Sequence, residues 1–431
     1  MTHNLIVVGL GFGDEGKGSV VDYLCREHDV HTVVRFNGGA QAAHNVVEPD
    51  GRHHTFAQYG SGTLAGVRTH LSKYMLVNPI FLKAEEKGLS RIGVEDPTGL
   101  LTIDEGALVT NPFQVAFNRL QELHRDQRHG SCGMGIGETV KDNLDDPENA
   151  LRVQDLKDAD ATFRKLTLSR RRKVRAFRER RIALVASGFT LPCLPEVDTE
   201  ATILHDEEQI DHCVEFYRDF AKEHEIVPEK YSRSLQQLGT TLVYEGAQGV
   251  LLDEDYGFHP YTTWSYTTPK NAFNLIGLMP KTVFGVLRGY LTRHGAGPFP
   301  TENEDLTFKD HNGYGPWQES FRFGHFDMVL ARYAQKVAHC DSLVLTCLDH
   351  LEDTQIRVCD KYKKLNEEVE ELGLPQSLGE QEILEGQLSW CNPVYKDLKD
   401  TEALIQEAQK NLKVPVVITS HGPTYEDKRC R

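Results

Sequence analysis

Short aliphatic and β-branched runs recur along the chain, each bounded by glycine, proline or polar residues. They are "NLIVVGL" at 4–10, "HTVVRF" at 31–36, "TTLVYEG" at 240–246, "KTVFGVLRGY" at 281–290, "DSLVLTCLD" at 341–349 and "VPVVITS" at 414–420. Runs of this length and composition read as buried strands. Helix-like segments separate most of them, and that alternation predicts an α/β fold with a large, mainly parallel central sheet flanked by helices. In such a sheet the loops at the carboxyl ends of the strands build the site. Residues 155–235 break the pattern, being charged and helical in period. Their basic run "RKLTLSRRRKVRAFRERR" at 164–181 reads as a solvated helical face with Leu166, Val174 and Phe177 turned inward. We expect a mostly helical insertion at about 155–235 within a single domain spanning 1–431. The stretch 361–386 is expected to be a strand end, a surface loop and a helix.

Composition narrows the function. A chain of 431 residues with 39% hydrophobic residues can bury a sizeable core. A formal charge of −16 disfavours general affinity for nucleic acid or anionic membranes, which need Lys and Arg to neutralise phosphates. Any anionic ligand must then meet a local positive site. No run approaches the length of a membrane helix, and no basic stretch followed by an apolar core opens the chain. The nine cysteines lie without a C-x-x-C pair or a histidine at metal-ligand spacing, so they read as free thiols of a cytoplasmic enzyme.

The candidate chemistry begins at "GFGDEGKG", residues 11–18, which follows the first strand run and opens a helix-like segment. Strand, glycine-rich turn and helix in that order aim backbone N–H groups at a phosphate, with Lys17 against the outer phosphates. A phosphate loop of this type normally continues with Ser or Thr, whose hydroxyl holds Mg²⁺, but Gly18 stands there. A carboxylate can replace the hydroxyl, and spacing leaves Asp14 and Glu15 both open. A second strand run opens into a glycine-rich turn at "VVRFNGGAQAAHNVV", 33–47, and delivers His44, a structural residue or an acid. Two such turns after neighbouring strands would face each other across one crevice. Gln248 stands on a turn after the strand run in "YEGAQGVLLDEDYGFHPYTT", 244–263, and "TRHGAGPFPTE" at 292–302 is a rigid Gly/Pro loop.

Taken together, these segments resemble the adenylosuccinate synthetase family, and the correspondence runs from the first strand to "ITSHGP" at 418–423. The resemblance implies a GTP-dependent ligase that phosphorylates the 6-oxo group of IMP and displaces phosphate with the amine of aspartate. It implies Asp14, His44, Lys17 and Gln248 as catalytic residues and Gly13, Asp14, Glu15, Gly16, Lys17, Gly18 and Ser19 as the phosphate loop. Asn37, Gln41, Ala42, Ala43, Cys132, Gln248, Thr263 and His294 fall at acceptor positions. Cys347, Leu348, Asp349, Ser420, His421 and Gly422 fall at guanine positions, and Arg322 in the amino-acid loop. It further implies Mg²⁺ at Asp14 and Ala43, a homodimer, and small-molecule substrates with no nucleic-acid or membrane partner.

The chain also departs from the family pattern. The arginine-rich amino-acid loop reads "GYGPWQESFRFGHFD" at 313–327, with Arg322 alone in register. Charge-assisted arginine bonds are the usual grip on a dicarboxylate, so a different amine is an alternative. In "SCGMGIGE" at 131–138, Cys132 stands for a threonine and Met134 for an arginine, and "KDNLDDPENALRVQDL" at 141–156 lacks the arginine that crosses between subunits. Cys347 replaces a lysine, which leaves ATP open as donor. A non-catalytic nucleotide-binding protein on the same fold is a further alternative, as is a GTPase without amine transfer.

Overall fold

A computed structural model describes residues 3–125, 130–188, 194–308, 312–313, 317–318, 320–364 and 367–431. Within them ten strands form one sheet, labelled here in chain order: β1 (His3–Gly9), β2 (Val30–Arg35), β3 (Arg68–Leu71), β4 (Leu101–Asp104), β5 (Glu225–Val227), β6 (Thr241–Gly249), β7 (Lys281–Arg288), β8 (Ser342–Thr346), β9 (Val416–Ser420) and β10 (Lys428–Cys430). Their spatial order is β10-β9-β8-β7-β1-β6-β2-β3-β4-β5. Every neighbouring pair is parallel except β9 with β10 at one edge.

β1 lies in the middle, and from Asn4 to Gly9 it is buried on both faces, as its unbroken apolar run requires. All six strand runs read from the sequence fall in this sheet. β6 runs further than expected, to Gly249, and the register slips between Val7 and Gly9 of β1 where Gln248 takes a left-handed φ of 59°. β1 and β2 are not neighbours, because β6 is inserted between them. The two glycine-rich turns still meet. A Cβ at Gly18 would stand 2.8 Å from His44 Cβ and 3.2 Å from the Asn45 carbonyl oxygen.

Between 155 and 235 the described residues form helices Ala159–Ala186, Pro195–His205, Glu208–Glu223 and Tyr231–Leu235, with β5 returning to the sheet edge; residues 189–193 lie outside the description. Leu166 and Phe177 are buried in the core beneath the long helix, and Val174 packs against it. The stretch 361–386 corrects the expectation. The strand Ile356–Lys364 pairs antiparallel with Glu367–Val369 instead of opening into a plain loop, and the helix follows at Leu378–Leu388. Cross-strand register there sets Tyr362 against Val369, a contact that gives the segment a buried side. Local helix starts follow sequence rules. Asn78-Pro79 and Asn111-Pro112 each place an asparagine cap before a proline whose missing N–H costs nothing at the first turn. Among the described residues no helix is long and apolar enough to cross a membrane.

Candidate active site

The loops that follow β1, β2, β6, β8 and β9 gather at the carboxyl ends of the strands. The phosphate loop leaves β1 with Gly13, Asp14 and Gly16 all at positive φ (96°, 60° and 88°), which turns its N–H groups inward before the Lys17–Glu27 helix begins. That helix has no side-chain cap and no acidic residue in its first turn, so its N-terminal N–H groups are available to an anion. The interior of the loop holds Glu15. Its Oε1 accepts from Gly11 N (3.0 Å) and Gly13 N (2.8 Å), and its Oε2 lies 2.5 Å from Lys17 Nζ. Both residues are buried. The carboxylate thus sits among the donors that a phosphate loop presents.

Geometry separates the two acids that spacing left open. Glu15 is engaged on both oxygens, whereas the Asp14 side chain is 21% exposed, 3.3 Å from Asn312 Nδ2 and 3.6 Å from His294 Nε2. The Asp14 carbonyl accepts from Arg288 Nε, and Thr346 Oγ1 donates to the Glu15 carbonyl at 2.6 Å, so β7 and β8 both brace the loop. Mg²⁺ usually takes one or two carboxylates and fills its shell with water and substrate phosphates. An open Asp14 carboxylate beside a phosphate loop fits that chemistry. Ala43 is exposed in the neighbouring loop. Among the described residues no three His, Cys, Asp or Glu side chains gather into a cage that would hold a metal without substrate.

His44 is buried, with Nδ1 2.6 Å from Glu245 Oε1. Glu245 Oε2 accepts from Ser61 N at 2.9 Å, and the Ser61 hydroxyl also donates to this carboxylate. Burial alone would raise the Glu245 carboxyl, but Arg35, His44 and Ser61 outweigh it and hold it down to about 2. Desolvation pushes the His44 imidazole below its ordinary value, and Glu245 offsets only part of that. The ring is therefore oriented by an ionised carboxylate at Nδ1 and, at neutral pH, carries no second proton at Nε2.

Of the acceptor positions, Gln41 and Gln248 come together at Gly38. A Cβ there would lie 3.2 Å from Gln41 Nε2 and 3.4 Å from Gln248 Oε1. Both amide atoms of Gln41, Gln248 Oε1 and His294 Nδ1 are buried without a hydrogen-bond partner. Orphaned polar atoms of this kind cost about 1–3 kcal/mol each, and a polar ligand that engages them removes the cost. Asn37 differs, since its amide donates to the Ala247 carbonyl (3.0 Å) and accepts from Ala247 N (2.7 Å), clamping the β2 turn to β6. Ala42 is buried, and Thr263 N donates to the Leu252 carbonyl at 2.8 Å. Cys132 is partly exposed, and desolvation pushes its thiol up to about 11, so it is neutral.

At the far end, Leu348 N donates to the Ser420 carbonyl, which joins the loops after β8 and β9. Cys347 has a left-handed φ of 54°, Asp349 opens a short turn with its side chain 32% exposed, and Ser420 Oγ donates to the Gly422 carbonyl at 3.0 Å. His421 N donates to the Asp427 carbonyl. Lys428 Nζ, which sequence reasoning missed, donates to the carbonyls of Gly422 (3.1 Å) and Thr424 (2.8 Å). Ser19, in the first helical turn, donates to the Gly16 carbonyl at 3.0 Å.

The amino-acid loop is only partly described, since Tyr314, Gly315, Pro316 and Glu319 lie outside the described residues. Arg322 NH1 is 2.7 Å from Glu302 Oε2, and its NH2 donates to the Gly297 carbonyl at 3.0 Å. The neighbouring Arg293 is buried and holds the Gly/Pro loop by donating to the carbonyls of Ala296 and Pro298. Trp317 lies against Gly133, where a Cβ would stand 3.0 Å from its ring, and the Arg119 guanidinium is 5.3 Å from the ring centre. The altered turn at 131–135 and the altered amino-acid loop are therefore in contact.

A family model described as adenylosuccinate synthetase matches residues 6–428. The chain belongs to the adenylosuccinate synthetase family. Members of this family ligate IMP and aspartate using GTP, forming a C–N bond in purine biosynthesis. Adenylosuccinate synthetase from Caldanaerobacter subterraneus subsp. tengcongensis is 32% identical over 95% of this chain and 91% of its own length. The Marinomonas sp. enzyme is 31% identical over 98% and 97%. The solved Plasmodium falciparum adenylosuccinate synthetase superposes with a TM-score of 0.78 at 22% identity over 99% of both chains. Cyanophage S-2L succinoaminodeoxyadenylate synthetase superposes with a TM-score of 0.62 at 16% identity, covering 100% of this chain and 95% of that one. The family and fold expected from the motifs are thus the family and fold found.

Proposed function

We propose that this chain phosphorylates the 6-oxo group of IMP, or of a closely related purine nucleotide, with GTP, and that the amine of L-aspartate then displaces phosphate to give adenylosuccinate. The observation that carries the proposal is the meeting of an open Asp14 carboxylate, the Glu245-oriented His44 and the unpartnered Gln41 and Gln248 amides around one cleft. Asp14 takes the N1 proton, which makes the 6-oxygen nucleophilic; as that oxygen bonds to the γ-phosphorus, the bond from the γ-phosphorus to the β–γ bridging oxygen breaks and GDP leaves. Lys17 leaves Glu15 for the γ-phosphate and helps neutralise it. His44 takes up a proton at Nε2 and donates to the transferring phosphoryl group, then to the oxygen that leaves with phosphate when the amine attacks C6. The bond from C6 to oxygen breaks, a C–N bond forms, and the amine proton passes to solvent. Asp14 and the Ala43 carbonyl are the groups that would hold Mg²⁺, which when bound would supply charge neutralisation on the phosphates. The Asp349 carboxylate accepts from guanine, with Ser420 to Gly422 closing over the base.

A second reading keeps the activation chemistry and changes the amine. It is favoured by the Arg322 side chain, which is already neutralised by Glu302. For context, we read the protein as a homodimer working in the cytoplasm as one domain; the eight described cysteines, all free, agree with a reducing compartment. The decisive experiment is a mass-spectrometric product screen with purine monophosphates, GTP or ATP, Mg²⁺ and a panel of amino acids. Adenylosuccinate from IMP, GTP and aspartate is the expected product. Phosphate release without any new C–N product would sink the ligase reading.

A further inference from the structure

A run of contacts that no motif pointed to joins the two ends of the cleft. The Asp14 carbonyl accepts from Arg288 Nε, and Arg288 NH1 donates to the Tyr290 hydroxyl at 3.1 Å. That hydroxyl lies 2.8 Å from His350 Nδ1, and His350 Nε2 lies 3.7 Å from Asp349 Oδ2. A guanidinium only donates, so the Tyr290 oxygen accepts from Arg288, and the Tyr290–His350 contact is made in one of two tautomers, with either the hydroxyl or Nδ1 as donor. In the tautomer in which the hydroxyl donates, the imidazole proton stands on Nε2, the nitrogen that faces the Asp349 carboxylate.

Packing holds the run in place. The Phe308 ring stacks on Tyr290, with centres 4.1 Å apart, and on His350 at 5.8 Å. Gly289 lets the link after β7 press on the turn that carries Asp349, since a Cβ there would stand 2.6 Å from Leu351 and 3.1 Å from Leu348.

We propose that His350 is a specificity-determining positioning residue. It orients the Asp349 carboxylate toward the purine base of the phosphoryl donor and, through Tyr290 and Arg288, couples that base site to the phosphate loop. The inference rests on the reading of Asp349 as the residue that recognises the base. In that tautomer the N–H lies 3.7 Å from one carboxylate oxygen, longer than a hydrogen bond, so it biases the plane of the group electrostatically and leaves its lone pairs to accept from N1 and N2 of guanine. At the other end, the run grips Asp14 in a left-handed backbone conformation that a non-glycine residue holds only when its surroundings impose it. What sits on Asp349 therefore bears on the backbone that aims the Asp14 carboxylate.

The test is steady-state kinetics with GTP, ITP and ATP for the wild type, His350→Asn, His350→Gln and Tyr290→Phe. Asparagine reaches the place of Nδ1 and glutamine the place of Nε2, so only the second keeps a donor toward Asp349. His350→Asn should raise KM for GTP by about threefold, the scale of a polar contact longer than a hydrogen bond, with a smaller change for ITP, which lacks the 2-amino group. His350→Gln should restore most of the GTP-over-ITP preference. Tyr290→Phe keeps the Phe308 stack and serves even if the His350 variants do not fold; it should lower the same preference. Equal effects on GTP and ITP, or no effect, in the variants that fold would overturn the inference. A wild type that does not prefer GTP to ATP would instead remove the reading of Asp349 on which it stands.

Discussion

The two sides of the cleft have had different treatment. On the side built by β1, β2 and β6, the residues assigned to proton and phosphoryl transfer in the proposed reaction are braced. Glu245 holds His44, Arg288 and Thr346 hold the loop backbone, and Gly18 lets the His44 turn approach. On the other side, the turn at 131–135 and the loop at 313–327 carry Cys132, Met134 and Trp317, and Arg322 is spent on Glu302. The altered residues touch each other, and Phe321 of the same loop also reaches the braced side, with its ring centre 4.6 Å from that of His294 and 5.9 Å from the Arg288 guanidinium. If activation chemistry and substrate identity are carried by separable parts of the molecule, mutations on the two sides should differ in kind.

The largest effect belongs to the braced side. Asp14→Asn removes the proton acceptor and should lower kcat by about 10²–10⁴-fold. Fluorescent GTP-analogue titration should show nucleotide binding largely intact, because the loop is shaped by Glu15 and the backbone. An active Asp14→Asn enzyme would end the base assignment.

His44→Ala should follow with a loss of about 10²-fold in kcat. The pH dependence sharpens this. Burial holds the free imidazole below its ordinary value, so at neutral pH the ring gains a proton only when an anion reaches Nε2. GTP binding by the wild type should therefore take up a proton, and affinity should rise as pH is lowered from 8 toward 6. Calorimetry in buffers of different ionisation enthalpy measures the uptake, which His44→Ala should abolish. Equal proton uptake by both proteins would return His44 to a structural role.

These two sides were also unequally legible from sequence. Strand runs and glycine turns are local, so the six core strands and the phosphate loop could be read directly. What decided between Asp14 and Glu15 was a set of backbone N–H groups closing on Glu15, which spacing does not encode. The replacement of the usual Ser or Thr by Gly18 has a tertiary reason, since the His44 backbone fills the space where that side chain would begin. The insertion of β6 between β1 and β2 is a pairing of residues more than 200 positions apart, and no local pattern reports it. Lys428 and the Tyr290–His350 contact escaped for the same cause. Each is a lone polar residue whose partners lie in other loops, with Arg288 touching Asp14 across 274 positions.

On the altered side the effects should be smaller and should fall on KM. Arg322→Ala would raise KM for aspartate by about tenfold if the guanidinium leaves Glu302 for a substrate carboxylate. Initial rates across an amino-acid panel measure this directly. An unchanged KM for aspartate would assign Arg322 to holding Glu302 and the Gly297 carbonyl, and would favour the reading with a different amine.

The smallest effect concerns the acceptor turn. Cys132 presents a thiol that desolvation keeps protonated, a weak donor where the family pattern has a hydroxyl. Cys132→Thr should strengthen one hydrogen bond to the acceptor phosphate by about 1 kcal/mol, which is about a fivefold fall in KM for the purine monophosphate. kcat should not change, because the side chains that bear on the Cys132 thiol are those of Glu122 and Arg119, not Asp14 or His44. If kcat moves instead, the two sides are not separable, and Trp317, packed on Gly133 beside this turn, becomes the first contact through which to trace the coupling.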